Sequence, residues 1–341
     1  MIETLRIHVE DSSAVGHARR QINEFCRDLL LPFSEEDLGN IALLSTELGT
    51  NLVKHAGSGE LVVHPLRLHE AVGLQILAID HGPGFKEGYN KLEEGKSSAG
   101  TLGYGLGGIR RIAKVFDFIS LQGKGVILVC QYWPAAMQIM VDAWDLPIGG
   151  VNVPKPGETV SGDCWTIEMV GDRYRIFFAD GLGHGIGASE AATQAAVLFK
   201  KYKTKPLEDL VRIVHQGLQS SRGAVLAIME VDLHRHTLIH IGVGNISSKI
   251  ITATKQQSLL SANGTVGFQI NKLYINEVVL AEKSFVILHS DGIGSHWDSF
   301  AFDTLWEHHP SVVAGLLYHT YARTTDDASC VVIKCPGVRA S

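Results

Sequence analysis

Phe177-Phe178-Ala179-Asp180-Gly181-Leu182-Gly183-His184-Gly185-Ile186-Gly187-Ala188 joins an apolar run to a helix through one carboxylate and four glycines. The run 174–179 reads as a strand buried on both faces. The small residues Ala188, Ser189, Ala191, Ala192, Ala195 and Ala196 read as a helix lying very close on a sheet. Asp180 therefore sits at a strand end. Its glycine neighbours let backbone carbonyls and a second ligand approach closely, as a hard-cation site built from oxygen requires. Taken alone, an Asp-Gly after a strand is more often just a turn.

Three further acidic positions in the second half share that setting. Asp163 precedes the run 165–170, Asp291 closes the strand pattern 284–289, and Asp326-Asp327 opens the last strand pattern, 328–333. Carboxylates so far apart in the chain converge only if their strands are neighbours. If they are, they can hold two divalent cations about 3.5–4 Å apart and clamp a phosphoryl group.

Gly162-Asp163, Asp180-Gly181-Leu182-Gly183-His184-Gly185, Ser290-Asp291-Gly292 and Asp326-Asp327-Ala328-Ser329 occur in this order over about half the chain. The pattern resembles the metal-dependent serine/threonine phosphatases of the PP2C type, most closely their bacterial SpoIIE/RsbX branch. The resemblance implies an α-β-β-α sandwich over residues 137–337. It implies metal ligation (Mg²⁺ or Mn²⁺) by Asp163, Asp180, the Gly181 carbonyl, Asp291 and Asp326. His184 would be the Gly-His-Gly residue that orients a phosphate or a metal-bound water, although a histidine at a helix start can also be a cap-region filler.

In the first half, 5–9 alternates as a short strand, and Ser12 or Ser13 is expected to cap a helix that Pro32 ends. Ser34 then caps a second helix with an acidic first turn and an apolar stripe of Ile41, Leu44, Leu48 and Leu52. Glu47, Asn51 and His55 recur every four residues and form a polar row at the border of that stripe. By itself such a row also fits a solvated face. Two strand patterns follow, the second ending in Asp80-His81-Gly82-Pro83-Gly84. A linker rich in Gly, Lys and Ser leads to Gly103-Tyr104-Gly105-Leu106-Gly107-Gly108, which opens another helix. Free amide donors at a helix start suit phosphate. No Lys-Ser/Thr follows, so this is not a Walker A loop, and no strand leads directly into it, so it is not a Rossmann fingerprint.

Glu47-x-x-x-Asn51, Asp80-x-Gly82-x-Gly84 and Gly103-x-Gly105-x-Gly107, in this order, are similar to the three boxes of the GHKL (Bergerat) ATP-binding fold, and within it to RsbT-type serine kinases. The resemblance implies a domain over 1–133 that binds ATP. Asn51 would hold Mg²⁺ against the phosphates, Asp80 would accept from the adenine amino group, and the segment containing Gly103, Gly105 and Gly107 would form the lid. Glu47 would be the general base. Val126 stands where the family often has Thr.

A chain of 341 residues with 45% hydrophobic content supports two globular domains of α+β class. A net charge of -6 without blocks of like charge gives no reason to expect nucleic acid or a membrane surface as partner. Five scattered cysteines without a C-x-x-C pair point to reduced thiols in a cytoplasm. Residues 1–11 carry no apolar leader, and no window approaches 18 apolar residues. The expectation is a bifunctional regulator, serine kinase plus phosphoserine phosphatase, acting on STAS-domain anti-anti-sigma or stressosome-like proteins. The alternative keeps the phosphatase and makes the first domain a nucleotide-gated binding module.

Overall fold

The computed structural model describes residues 4–68, 70–84, 102–142, 147–297 and 302–335. The chain divides into two compact units, Thr4–Trp144 and Asp145–Ser341. No helix among the described residues is long and apolar enough to cross a membrane.

In the first unit, β1 (Leu5–Val9), β2 (Gly59–Leu68), β3 (Ala71–Ile79), β4 (Val115–Leu121) and β5 (Gly125–Tyr132) form an antiparallel sheet of order β1-β2-β3-β5-β4. Helices α1 (Ser12–Asp28), α2 (Glu35–Ala56) and α3 (Leu102–Ile112) supply the rest of its core. Alternation decides which strand residues join them. Ile7, Val9, Leu61, Val63, Leu74, Ile76, Leu128 and Cys130 share one cluster with Ile22, Ile41, Leu44, Leu48 and Ile109. The cap of α1 differs from the expected serines. Asp11 takes the position, its carboxylate accepting from Ser13 N at 2.8 Å and Ala14 N at 3.0 Å, because an anion there also meets the helix dipole. Ser34 caps α2 in a reciprocal pair with Asp37. Residues 138–142 carry an apolar run that reads as a strand but fold as α4 (Gln138–Asp142), continuing a 3-10 turn at Ala135–Met137. Three apolar residues, Ile139, Met140 and Val141, do not separate the two periods, and the preceding turn decides.

The second unit stacks two five-stranded sheets. The first contains β7 (Asp163–Val170), β8 (Arg173–Gly181), β9 (Ala224–Asp232), β10 (Thr237–Val243) and β15 (Asn276–Val279), in the order β15-β10-β9-β8-β7. The other contains β6 (Ile148–Val153), β11 (Ser247–Ile251), β12 (Gln256–Ser258), β16 (Ser284–His289) and β17 (Ala328–Cys335), in the order β12-β11-β16-β17-β6. Helices α5 (Ile186–Lys201) and α6 (Leu207–Gly217) cover the first sheet. Next to the other sheet are α7 (Phe302–Leu305) and α8 (Pro310–Tyr321), of which α8 packs on β6 and β17. Alanines on α5 permit the close approach read from the sequence: a Cβ on Gly181 would lie 2.1 Å from the Ala188 carbonyl oxygen. The stretch 260–271, which shows no usable pattern in sequence, forms the small hairpin β13 (Gly264–Thr265) and β14 (Gln269–Ile270) and bridges Ala224 and Val243. Its order comes from those distant partners.

Candidate active sites

In the second unit the ladder between β7 and β8 sets Asp163 directly opposite Asp180. The other sheet brings its contribution through Ser290, at the end of β16, whose hydroxyl donates to Asp163 Oδ2 at 2.7 Å and accepts from Ser329 N at 3.1 Å. Asp291 follows at once, and Asp326 lies just before β17. The two loops are in contact, since a Cβ on Gly292 would lie 1.9 Å from the Asp327 carbonyl oxygen.

Burial pushes the Asp180 carboxyl up to about 8, reinforced by the charges of Asp291, Asp326 and Asp327. Asp163 is only 3% exposed, and burial followed by the charge of Asp180 raises it well above the ordinary carboxylate range. Its Oδ1 is buried without a hydrogen-bond partner. Oxygen donors that repel each other, one of them orphaned, fit divalent cations. Among the described residues no three His, Cys, Asp or Glu side chains close on a single point.

Asp327 does different work. Its Oδ1 accepts from Lys155 N at 2.8 Å and its Oδ2 from Gly162 N at 2.9 Å, so both oxygens pin the loop 155–162. From that loop Glu158 reaches His184, Oε1 to Nδ1 at 2.6 Å. Asn245 Nδ2 donates to Asp291 at 2.9 Å. Arg222 lies against the glycine loop: a Cβ on Gly187 would be 2.6 Å from its Nε, and one on Gly183 would be 3.5 Å from a terminal nitrogen.

In the first unit Glu47, Asn51 and His55 are half-buried along one face of α2. The C-terminal turn of that helix meets the loop after β3, where a Cβ on Gly82 would lie 2.7 Å from that of Ala56. Asp80 is buried and accepts from Gly82 N at 2.8 Å, while its own N–H donates to the Val126 carbonyl at 3.0 Å. Two neighbouring glycines are obligatory. Gly84 has φ +69°, and Gly125 has φ +112° with a virtual Cβ 1.9 Å from the Asp80 carbonyl oxygen. His55 is held below its usual range by burial and Lys54, with Asp80 opposing. Gly103, Gly105 and Gly107 occupy the first two turns of α3. The linker at 95–100 lies outside the described residues.

Two family models match the chain, a histidine kinase-like ATPase domain over 9–131 and stage II sporulation protein E (SpoIIE) over 170–336. The serine/threonine-protein kinase RsbT of Bacillus subtilis (strain 168) is 32% identical over 103 residues, 30% of this chain and 77% of the relative. The chain belongs to the RsbT family of kinase-like ATPases. Beside that RsbT-type unit stands a SpoIIE-type unit, similar to the phosphoserine phosphatase RsbX of the same organism at 23% identity over 141 residues, 41% of this chain and 70% of the relative. A solved chain from work on the bacterial stressosome, a modular system adapted to control secondary messenger signalling, matches at 27% identity with TM-score 0.53. It aligns over its whole length with 56% of this chain. The SpoIIE-type unit is thus a PP2C-type serine phosphatase domain.

Glu158, Asn245, Arg222 and the Ser290 hydroxyl were not singled out from the sequence for the SpoIIE-type site. The only local signal is Lys155-Pro156-Gly157-Glu158, where Pro then Gly at φ +91° and a bond from Glu158 N to the Lys155 carbonyl make a type II turn. That signal predicts a turn and says nothing of what the turn delivers.

Proposed function

We propose that this chain is a two-way switch on one protein serine. The RsbT-type unit (residues 1–133) would phosphorylate it with ATP, and the SpoIIE-type unit (137–337) would remove the phosphate. The observation that carries the phosphatase half is Asp163 standing opposite Asp180 at adjoining strand ends, with Ser290, the neighbour of Asp291, bonded to Asp163 from the other sheet. These residues and the Gly181 carbonyl would hold Mg²⁺ or Mn²⁺. A bound divalent ion would supply Lewis-acid activation of the phosphoryl group and an acidified water. The chain's own residues do the rest. Ser290 fixes Asp163 in place, and Asn245 fixes Asp291. Arg222 offers its planar donors to the phosphoryl oxygens beside the glycine loop, and His184 serves the departing serine oxygen.

In the RsbT-type unit, Asp80, Gly82 and Gly84 would receive the adenine, Gly103, Gly105 and Gly107 would close over the phosphates, and Asn51 would hold Mg²⁺. Glu47 would take the proton of the substrate hydroxyl. Neither Glu47 nor Asn51 has a side-chain partner among the described residues, which leaves both available. STAS-domain proteins of a partner-switching or stressosome-like pathway are the proposed substrates, and five buried unpaired thiols suit a reducing cytoplasm. A second reading, a nucleotide-gated binding module, is favoured by Val126.

Labelled ATP, the full chain and a candidate STAS protein separate the two readings. Transfer that Glu47→Ala lowers by roughly 10²–10⁴-fold, with ATP affinity unchanged, supports the kinase. Tight complex formation without transfer supports the module.

A further inference from the structure

The Lys155–Glu158 turn is over-determined. Asp327 grips the loop at Lys155 N and Gly162 N, the turn closes through Glu158 N, and Gly157 supplies the positive φ it needs. What this scaffold presents is the Glu158 carboxylate, 2.6 Å from His184 Nδ1. The glycine loop is shaped to receive it. Gly185 has φ +73°, and a Cβ there would stand 2.7 Å from Glu158 Oε2. Any side chain at 185 would push the carboxylate away. His184 Nε2 has no partner among the described residues.

We infer that Glu158 is a positioning residue for dephosphorylation: it binds His184 Nδ1–H, fixes the ring, and leaves Nε2–H to protonate the serine oxygen as it departs. A carboxylate that accepts from one imidazole nitrogen holds the ring in one orientation and aims the other nitrogen. Water forms the new P–O bond and gives a proton to solvent, the bond from phosphorus to the serine oxygen breaks, and its electron pair stays with that oxygen. The oxygen takes the Nε2 proton, and His184 regains one from solvent. The inference rests on the phosphatase reading, which turnover by the unaltered chain tests separately.

Leaving-group chemistry makes the role measurable. A serine alkoxide needs a proton to leave, whereas p-nitrophenolate leaves without one. The full chain with Mn²⁺ is assayed on a phosphoserine peptide and on p-nitrophenyl phosphate. Glu158→Ala should lower kcat on the peptide by about 10–100-fold with KM nearly unchanged, and alter p-nitrophenyl phosphate turnover by less than about threefold. Glu158→Gln keeps an acceptor without the charge and should fall between Ala and the unaltered chain. Combined with His184→Ala, Glu158→Ala should cost nothing more. Calorimetric Mn²⁺ affinity should not move. Equal losses on both substrates, additivity with His184→Ala, or an unaffected peptide rate would each overturn the inference.

Discussion

In the SpoIIE-type unit the acidic groups come from four distant segments and are pressed together until burial and repulsion hold Asp180 near 8. In the RsbT-type unit the matching polar groups lie along one helix, half-buried and spaced a turn apart. The first arrangement costs stability unless a cation neutralises it; the second costs little, because water still reaches it. What shapes the nucleotide side is backbone geometry, with Gly84 and Gly125 letting the Asp80 loop and its neighbouring strands close up. The contrast predicts that the phosphatase site is coupled to folding and to metal, and that the nucleotide site is not.

Asp180→Asn tests that contrast most severely. Loss of a central oxygen donor should reduce phosphoserine turnover by roughly 10³-fold or more. In EDTA, however, the same change removes a carboxyl whose ionisation burial and neighbouring charges oppose, and should raise the melting temperature. ATP affinity, measured by calorimetry, should stay where it was. A lower melting temperature in EDTA would show that the cluster is not strained, and the comparison would fail.

The strand carrying Asp180 was legible because an apolar run followed by glycines and small residues admits few local structures. The four Asp positions could be ordered along the chain, but their meeting depends on sheet pairing, which short-range pattern does not encode. The polar supports were invisible for the same reason in stronger form. Asn245 reaches across 46 residues to Asp291, and Ser290 across 127 to Asp163. Neither occupies a position with periodicity or turn chemistry pointing to its partner. The three apolar residues 139–141 fit both periods, so the preceding turn decides, and the hairpin at 264–270 carries no local signal because its order is borrowed from β9 and β10.

A second, smaller effect sharpens the comparison through pH. The carboxyl of Asp180 titrates near 8 in the folded protein and near 3.8 once exposed. Between these values the native state binds the extra proton, so metal-free stability must fall as pH rises. Buried His64, His240 and His289, held down to about 4, act oppositely, but their contribution is lost as pH falls from 6.5 towards 4. From pH 7 to 8 the carboxylates dominate. Through Asp180 the EDTA-treated protein should lose about 1 kcal/mol there, a drop of about 2–4 °C in melting temperature. Mn²⁺ should abolish the trend by mass action.

The smallest expected effect isolates how much of the metal site depends on support from outside its ligands. Asn245 Nδ2 donates to Asp291 Oδ2 at 2.9 Å, and Asp291 is the exposed member of the cluster. Asp163, by contrast, is buried and held by Ser290. Solvent can replace part of what Asn245 supplies, so Asn245→Ala should weaken Mn²⁺ binding by only about three- to tenfold, the low end for an outer hydrogen bond. Ser290→Ala removes a buried partner that water cannot easily replace and should weaken it more. The ranking follows from burial alone, since both changes delete one hydrogen bond to one carboxylate. If calorimetry finds Asn245→Ala the more damaging, exposure is not what sets the strength of these contacts, and the strain assigned to the buried half of the cluster would have to lie with Asp291 instead.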